Sequence, residues 1–186
     1  MSRLIQLILA SASPRRRELL AQAGYKFEVC PAHIDETRGA HEDPSAYVAR
    51  LALEKAQAIY AQHPDAVVLG ADTTVVLNGE VLNKPQDLEE AERMLRALSG
   101  CTHHVLTGIA VVARDVERTH VETTDVIFCA ISEDELAAYL ATGDSLDKAG
   151  AYGIQGYAAR WIPRIEGDYF NVMGLPVAAT VRLLTT

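Results

Sequence analysis

The fold is decided by residues 66–82, AVVLGADTTVVLNGEVL, which predict a central strand followed by a hairpin. Apolar and β-branched residues dominate the run, as is typical of a strand buried on both faces. Asn78-Gly79 is typical of the two-residue turn that joins antiparallel strands. The run therefore predicts two paired strands, the first of them at the centre of a sheet.

Asp72 interrupts this apolar run. A carboxylate inside a buried strand is costly unless it has a charged or metal partner. The alternative is that Asp72 already lies in an exposed turn at the end of a strand. Nothing local requires a turn there, because the evident one is Asn78-Gly79, so we favour a functional carboxylate.

On both sides of this run, strand-like and helix-like segments alternate, which indicates an α/β protein. The long neighbouring strands predicted at 103–114 and 120–131 indicate a mixed sheet. Further strands are predicted at 3–11 and 26–32, and β structure at 159–174. Helices are predicted at 14–24, 43–63, 87–98, 132–143 and 176–184, with Asp43, Asp87 and Ser132 as N-terminal caps.

Length and charge narrow the function. The chain has 186 residues and a formal net charge of −8, which suits one domain and argues against broad binding of DNA or RNA. A small anionic ligand stays compatible, provided that cations or a metal are gathered locally. No apolar run is long enough to cross a membrane. Cys30, Cys101 and Cys129 lack metal-ligand spacing, so we expect reduced thiols in a cytoplasmic protein.

A second unusual stretch is LILASASPRRRELL, residues 7–20, where three arginines follow a helix cap. Ser13 suits the N-cap and Pro14 the first helical position. Cations at this end of a helix are unfavourable by about 0.3–1 kcal/mol each. A bound phosphate would make them favourable, because arginine forms paired hydrogen bonds with phosphate oxygens. A solvated basic helix end, partly relieved by Glu18, is the alternative, and we favour the phosphate site.

Weaker signals lie in four other segments. Asp35 and Glu36 could join Asp72 in a site for a hard cation such as Mg²⁺ or Mn²⁺, although two carboxylates in a polar loop are more often solvated. Lys55 lies near the apolar stripe of a helix, and Lys84 is held extended by the proline that follows it.

The last segment, AGAYGIQGY, places Gln155 among glycines, where an amide could read a base edge. From spacing alone a flexible loop is the more common case. We assign no role to the six histidines.

Together these stretches resemble the Maf family of nucleotide pyrophosphatases, once described as septum-formation inhibitors. The matching runs lie in order and cover nearly the whole chain: LILASASPRRRELL, IDE, RLALEKA, LGADTTVVLNGEVLNKP, LSGCTHHVLTG, DKAGAYGIQG and FNVMGLPV. The resemblance implies a single domain over residues 1–186. Its fold would be α/β, with a mixed sheet flanked by helices and two lobes around a nucleotide-binding cleft, related to the inosine triphosphatase fold, and often a homodimer.

The resemblance also implies an activity and its residues. Family members hydrolyse nucleoside triphosphates to the monophosphate and pyrophosphate with a divalent metal, here Mg²⁺, Mn²⁺ or Co²⁺. Asp72 would be the proton acceptor that activates water, and Glu36 with Asp72 would hold the metal. The polyphosphate path would be lined by Ser11, Arg15, Arg16, Lys55 and Lys84.

Three positions separate the subgroups of the family, and here they are Arg15, Thr73 and Gln155. This combination resembles the dTTP/UTP pyrophosphatases, whereas the 7-methyl-GTP subgroup typically has Trp, Gln and Glu. The chain would then serve in nucleotide-pool housecleaning, with a link to cell division. Alternatives are a pyrophosphatase for modified or non-standard nucleotides and a nucleotide-sensing regulator of septation without turnover. Asp168 departs from the family, which often has Ser there, and would weaken triphosphate binding if it faced the cleft.

The three arginines should differ in role. We expect Arg15 to face the base, Arg16 the phosphates, and Arg17 the solvent, because it lies about 100° further round the helix. On the helix-dipole argument alone, Arg16→Ala should leave the ligand-free protein as stable as before or slightly more stable.

Overall fold

The computed structural model describes residues 6–185, so the predicted start of the first strand at 3–5 lies outside the described part. No helix within it is long and apolar enough to span a membrane. Besides two short 3₁₀ helices, Ala149–Ala151 and Tyr157–Trp161, the structure contains strands and α-helices. In chain order these are β1 (Leu7–Leu9), α1 (Pro14–Gln22), β2 (Glu28–Val29), α2 (Pro44–Tyr60), β3 (Val67–Leu77), β4 (Glu80–Leu82), α3 (Leu88–Leu98), β5 (Thr102–Ala113), β6 (Val116–Ile127), α4 (Glu133–Leu140), β7 (Arg164–Glu166), α5 (Tyr169–Met173) and α6 (Val177–Thr185).

The strands form one mixed sheet of seven, which confirms the predicted fold class. The order is β2-β1-β3-β5-β6-β7, and β4 pairs with the end of β3. β1 is parallel to both β2 and β3, whereas β4 pairs antiparallel to β3. The β3–β4 turn is at Asn78 and Gly79, both with positive φ, as the sequence predicts for a two-residue hairpin.

The chain forms two compact units, each with its own core. The first unit comprises the chain up to Asp72, Thr107–Glu122 and the chain from Gly174. The second comprises Thr73–Leu106 and Thr123–Met173. The core of the first is built on α2 and its strands, and includes Ile8, Ala52, Ala56, Ile59, Val68 and Val112. The core of the second includes Val75, Leu95, Leu98, Phe128, Tyr139 and Trp161.

In the first unit, α2 lies directly on the backbone of two strands at glycines. A Cβ atom at Gly70 of β3 would lie 2.1 Å from the carbonyl oxygen of Ala52, and one at Gly108 of β5 would lie 2.3 Å from that of Val48. Both distances are far below van der Waals contact, so any side chain at either position would push the helix away. These two glycines fix the height of α2 above the sheet.

Helix starts follow the predicted caps. The Ser13 hydroxyl accepts a hydrogen bond from the amide of Arg16, and Asp43 and Asp87 cap α2 and α3 in the same way. Ser132 and Glu135 form the reciprocal capping box of α4. Local side-chain chemistry therefore determines where these four helices begin.

The β structure predicted at 159–174 is wrong for most of that segment. Tyr157–Trp161 is a 3₁₀ helix that buries Ala158 and Trp161, three residues apart, and only Arg164–Glu166 forms a strand. Asp168 directly precedes α5, and its carboxylate accepts a hydrogen bond from the amide of Phe170 at 2.8 Å. Burial of Trp161 outweighs the strand propensity of the local sequence. The predicted strand at 26–32 is also shorter, reduced to β2.

Candidate active site

A lysine that bridges two carboxylates is the centre of the candidate site in the first unit. Lys55 of α2 places its Nζ 2.7 Å from Oδ1 of Asp72 on β3. The same Nζ lies 2.8 Å from Oε1 of Glu36, in the loop between β2 and α2. Three residues that the sequence assigned to separate segments thus come together at hydrogen-bond distance.

Burial makes this cluster chemically unusual. Lys55 and Asp72 are each 8% exposed, so both charges are largely withdrawn from water and depend on each other. Burial raises the pKa of the Asp72 carboxyl above its ordinary value of 3.8, although the charges of Lys55 and Arg16 act in the opposite direction. A carboxylate with a raised pKa is a better proton acceptor near neutral pH than an exposed one.

Arg16, at the start of α1, adds a second cation to the cluster. Its Nη1 donates to the hydroxyl of Ser11 at 3.2 Å, and its Nε donates to the carbonyl of Gly174 at 2.8 Å. Burial lowers the pKa of Arg16, while the negative charges of Asp72 and Glu36 oppose that shift. Ser11 and Arg16 therefore belong to the same charged cluster as the lysine and its two carboxylates.

These contacts correct one expectation from the sequence. Arg16 was expected to be an unfavourable charge at the start of a helix, but its guanidinium donates to the carbonyl of Gly174, 158 residues away. Arg16→Ala should therefore lower ligand-free stability rather than leave it unchanged. Arg17 is exposed, in line with the prediction for it, and Arg15 is half-buried.

Three further predicted residues lie in the second unit. Thr73 directly follows Asp72 on β3, and Lys84 is exposed after β4. Gln155 is exposed in a tight turn, in which the amide of Gly156 donates to the carbonyl of Gly153 at 3.1 Å. Asn83, beside Lys84, accepts a hydrogen bond from Gly150 at 3.3 Å, which places the Lys84 and Gln155 segments side by side.

Buried polar residues support the segment that carries Gln155, and sequence reasoning missed them. The Tyr139 hydroxyl donates to the carbonyl of Ala151 at 3.1 Å. Nε2 of His103 and the hydroxyl of Tyr152 are hydrogen-bonded at 2.7 Å. Burial lowers the pKa of His103 to about 4, so this histidine is neutral at pH 7. Alternation along the strand predicts that His103 and His104 face opposite ways, as they do, but nothing in the sequence identifies the partner of His103.

Asp168, the departure from the family pattern, caps α5. Its carboxylate accepts from the amide of Phe170, and its main chain exchanges two hydrogen bonds of 3.0 Å with the hydroxyl of Thr124. An aspartate at a helix start is favourable for the same reason as the serine often found there.

Two carboxylates are a donor set that suits a hard divalent cation. Within residues 6–185, no three His, Cys, Asp or Glu side chains come together as a metal-binding group. Glu36 and Asp72 provide two carboxylates bound to the same Nζ. Mg²⁺ commonly binds through one or two carboxylates plus substrate phosphates and water, so two are sufficient. The cation itself remains a prediction.

A family model and sequence relatives match this chain over nearly its full length. The family model described as Maf-like protein matches residues 6–186. A protein of Koribacter versatilis named dTTP/UTP pyrophosphatase is 53% identical over 96% of this chain and 92% of its own. One of the same name from Symbiobacterium thermophilum is 53% identical over 97% of this chain and 93% of its own. A solved structure of a HAM1 protein from Coxiella burnetii aligns at 16% identity with a TM-score of 0.49, over 67% of this chain and 73% of that one.

The family match and the two relatives agree with the ordered motifs in the sequence. Each covers more than nine-tenths of the chain, and the relatives are identical to it at about half of the aligned positions. The chain belongs to the Maf-like protein family.

Proposed function

We propose that this chain is a nucleoside triphosphate pyrophosphatase that converts dTTP and UTP to the monophosphate and pyrophosphate. The observation that carries the proposal is Lys55, which bridges the buried Asp72 and the exposed Glu36 beside Arg16. Such a cluster combines a proton acceptor with cations that can neutralise phosphate charge. Relatives named dTTP/UTP pyrophosphatase, at 53% identity over nearly the full chain, supply the substrate class.

In the proposed reaction, Asp72 accepts a proton from the water that attacks the α-phosphorus. The new bond joins the water oxygen to that phosphorus. The bond between the α-phosphorus and the oxygen that bridges it to the β-phosphate breaks, and pyrophosphate leaves with the bonding electrons. Lys55 and Arg16 stabilise the negative charge that gathers on the phosphate oxygens. Glu36 and Asp72 would hold a divalent cation, which when bound supplies further charge neutralisation there.

Base selection is assigned to Arg15, Thr73 and Gln155. The Gln155 amide is exposed in its turn and offers both a donor and an acceptor. A site built to hydrogen-bond one base rejects another strongly, because its own polar groups are then left unpaired. Gln155→Glu should therefore reduce activity on UTP more than activity on GTP. Parallel losses on both substrates would remove Gln155 from base reading.

The decisive experiment measures products from a panel of nucleoside triphosphates. We expect UTP and dTTP to give the monophosphate and pyrophosphate, with activity lost in excess chelator. Inorganic phosphate as the first product would overturn the cleavage site, and full activity in chelator would overturn the metal requirement. Preference for modified bases would redirect the substrate assignment. Nucleotide-induced thermal stabilisation without turnover would favour a sensing protein linked to septation.

Assembly and location rest on the family resemblance. A homodimer is proposed, and light scattering tests it by a mass about twice the 20.2 kDa of one chain. A cytoplasmic location is likewise proposed, and fractionation of cells that carry a tagged chain tests it.

A further inference from the structure

Glu36, the proposed second metal ligand, lies where packing alone cannot hold it. The segment from Pro31 to Gly39, between β2 and α2, contains no helix or strand. The side chain of Glu36 is 55% exposed, so few neighbours restrict it. A carboxylate in such a loop has many accessible positions, and binding a cation would require most of them to be given up.

Two side chains of α2 bind the main chain at this loop position. The buried Tyr47 hydroxyl donates to the carbonyl oxygen of Glu36 at 2.9 Å. Nη2 of Arg50 donates to the carbonyl oxygen of the next residue, Thr37, at 3.1 Å. The two donors are three residues apart and therefore share one face of the helix. They fix consecutive peptide groups of the loop to a rigid element.

Arg50 is itself held in place by carboxylates. Its Nε and Nη2 form a paired contact with Glu42 at 2.6 and 2.9 Å, and its Nη1 lies 3.2 Å from Glu54. The bond to Arg50 lowers the pKa of Glu42 to about 2, so this pair stays charged at any pH near neutral. Glu42 also accepts from the amide of Gly39 at 3.0 Å, which ties the far end of the loop to the same guanidinium.

We propose that Tyr47 and Arg50 are positioning residues that hold the Glu36 carboxylate for cation binding. The inference rests on the proposed function, in which Glu36 is a ligand. Tyr47 and Arg50 fix the main chain at Glu36, while Lys55, one to two turns further along α2, contacts its side chain. The helix that carries the proposed phosphate-binding lysine thus also sets the position of the carboxylate.

The expected effect is a loss of metal affinity without loss of fold. Removing one hydrogen bond in Tyr47→Phe should weaken apparent Mn²⁺ affinity about three- to ten-fold. Arg50→Lys removes the planar guanidinium that binds Thr37 and Glu42 together. This change should weaken apparent Mn²⁺ affinity about 10-fold or more.

The chain offers a matched control for each change. Thr180→Val also removes a buried hydroxyl that donates to a backbone carbonyl, that of Pro176, but in α6 rather than at the loop that carries Glu36. Arg96→Lys also alters a guanidinium bound to two carboxylates, those of Glu92 and Glu133. Both controls should leave Mn²⁺ affinity within two-fold of the unmodified protein.

The measurement is the thermal midpoint against Mn²⁺ concentration, with a fixed amount of a non-hydrolysable UTP analogue, together with calorimetric Mn²⁺ titration. Higher half-saturating Mn²⁺ in Tyr47→Phe and Arg50→Lys, but not in the controls, supports the inference. Unchanged half-saturation in both variants overturns it. Glu36→Gln is measured in parallel. If it also keeps the full Mn²⁺ response, the ligand assignment itself fails and the positioning role fails with it.

Discussion

The contact between α2 and β3 makes Gly70→Ala the sharpest test of how the core positions the site. The new Cβ would lie 2.1 Å from the Ala52 carbonyl oxygen and 2.9 Å from the amide nitrogen of Ala56. Ordinary contact is about 3.5 Å, so helix and strand must separate by about 1.4 Å at this point. The obstacle is backbone, which no change of rotamer can relieve.

The stability cost follows from two opposing effects. Overpacking of this kind costs about 1–3 kcal/mol, and replacing a strand glycine by alanine recovers about 0.5–1 kcal/mol. With a backbone obstacle we expect the upper part of the range, a net loss of about 2 kcal/mol in the free energy of unfolding. The same displacement would lengthen the 2.7 Å bond between Lys55 and Asp72 beyond hydrogen-bond range.

Activity should therefore fall more than stability alone explains. A misplacement of about 1 Å can cost about 100-fold in rate, so UTP turnover by folded Gly70→Ala should drop at least ten-fold. Urea unfolding and pyrophosphate release measure the two effects. Wild-type stability and turnover in Gly70→Ala would refute the idea that this contact sets the Lys55–Asp72 geometry.

Three further predictions concern single side chains. Asp72→Asn should lower turnover about 10²–10⁴-fold and should abolish the fall of kcat/KM at acid pH. Because the pKa of Asp72 is raised, that fall should occur above pH 3.8 in the unmodified enzyme. If the fall persists in the variant, Asp72 is not the base. Arg16→Ala should lower both the ligand-free thermal midpoint and its shift by a UTP analogue, whereas Arg17→Ala should change neither; equal losses would contradict the assigned difference. His103, with its pKa lowered to about 4, is neutral when folded but gains a proton near pH 6.5 when unfolded. The free energy of unfolding should thus fall by about 2 kcal/mol from pH 7 to pH 5 on its account, and urea titrations of His103→Asn should lack that part of the slope.

The sequence predicted features that depend on neighbours along the chain. Caps at Ser13 and Ser132 and the turn at Asn78-Gly79 are local, and all three occur where predicted. Asp72 was identified because a charge in an apolar run needs a partner. The identity of that partner depends on how α2 lies over β3, and no spacing rule relates Lys55 to a residue 17 positions away.

The features that the sequence did not predict also depend on tertiary contacts. The segment around Trp161 has the composition of a strand, but burial of that side chain selects a 3₁₀ helix. Arg50 has the sequence context of an ordinary surface arginine, and only the folded loop brings the carbonyl of Thr37 to it. Contacts made by loops with distant helices are set by tertiary structure and leave no local pattern.

On the proposed function, the three arginines in the first turn of α1 should also affect how a triphosphate first meets the protein. They gather three positive charges within one helical turn of a chain whose net charge is −8. At about 0.01 M salt the screening length is near 30 Å, and an approaching anion experiences repulsion from the chain as a whole. At about 0.15 M it shrinks to near 8 Å, and close to α1 the local cations dominate. Diffusional encounter should then accelerate as salt is added over this range, the reverse of the behaviour of proteins that attract phosphates through an overall positive charge.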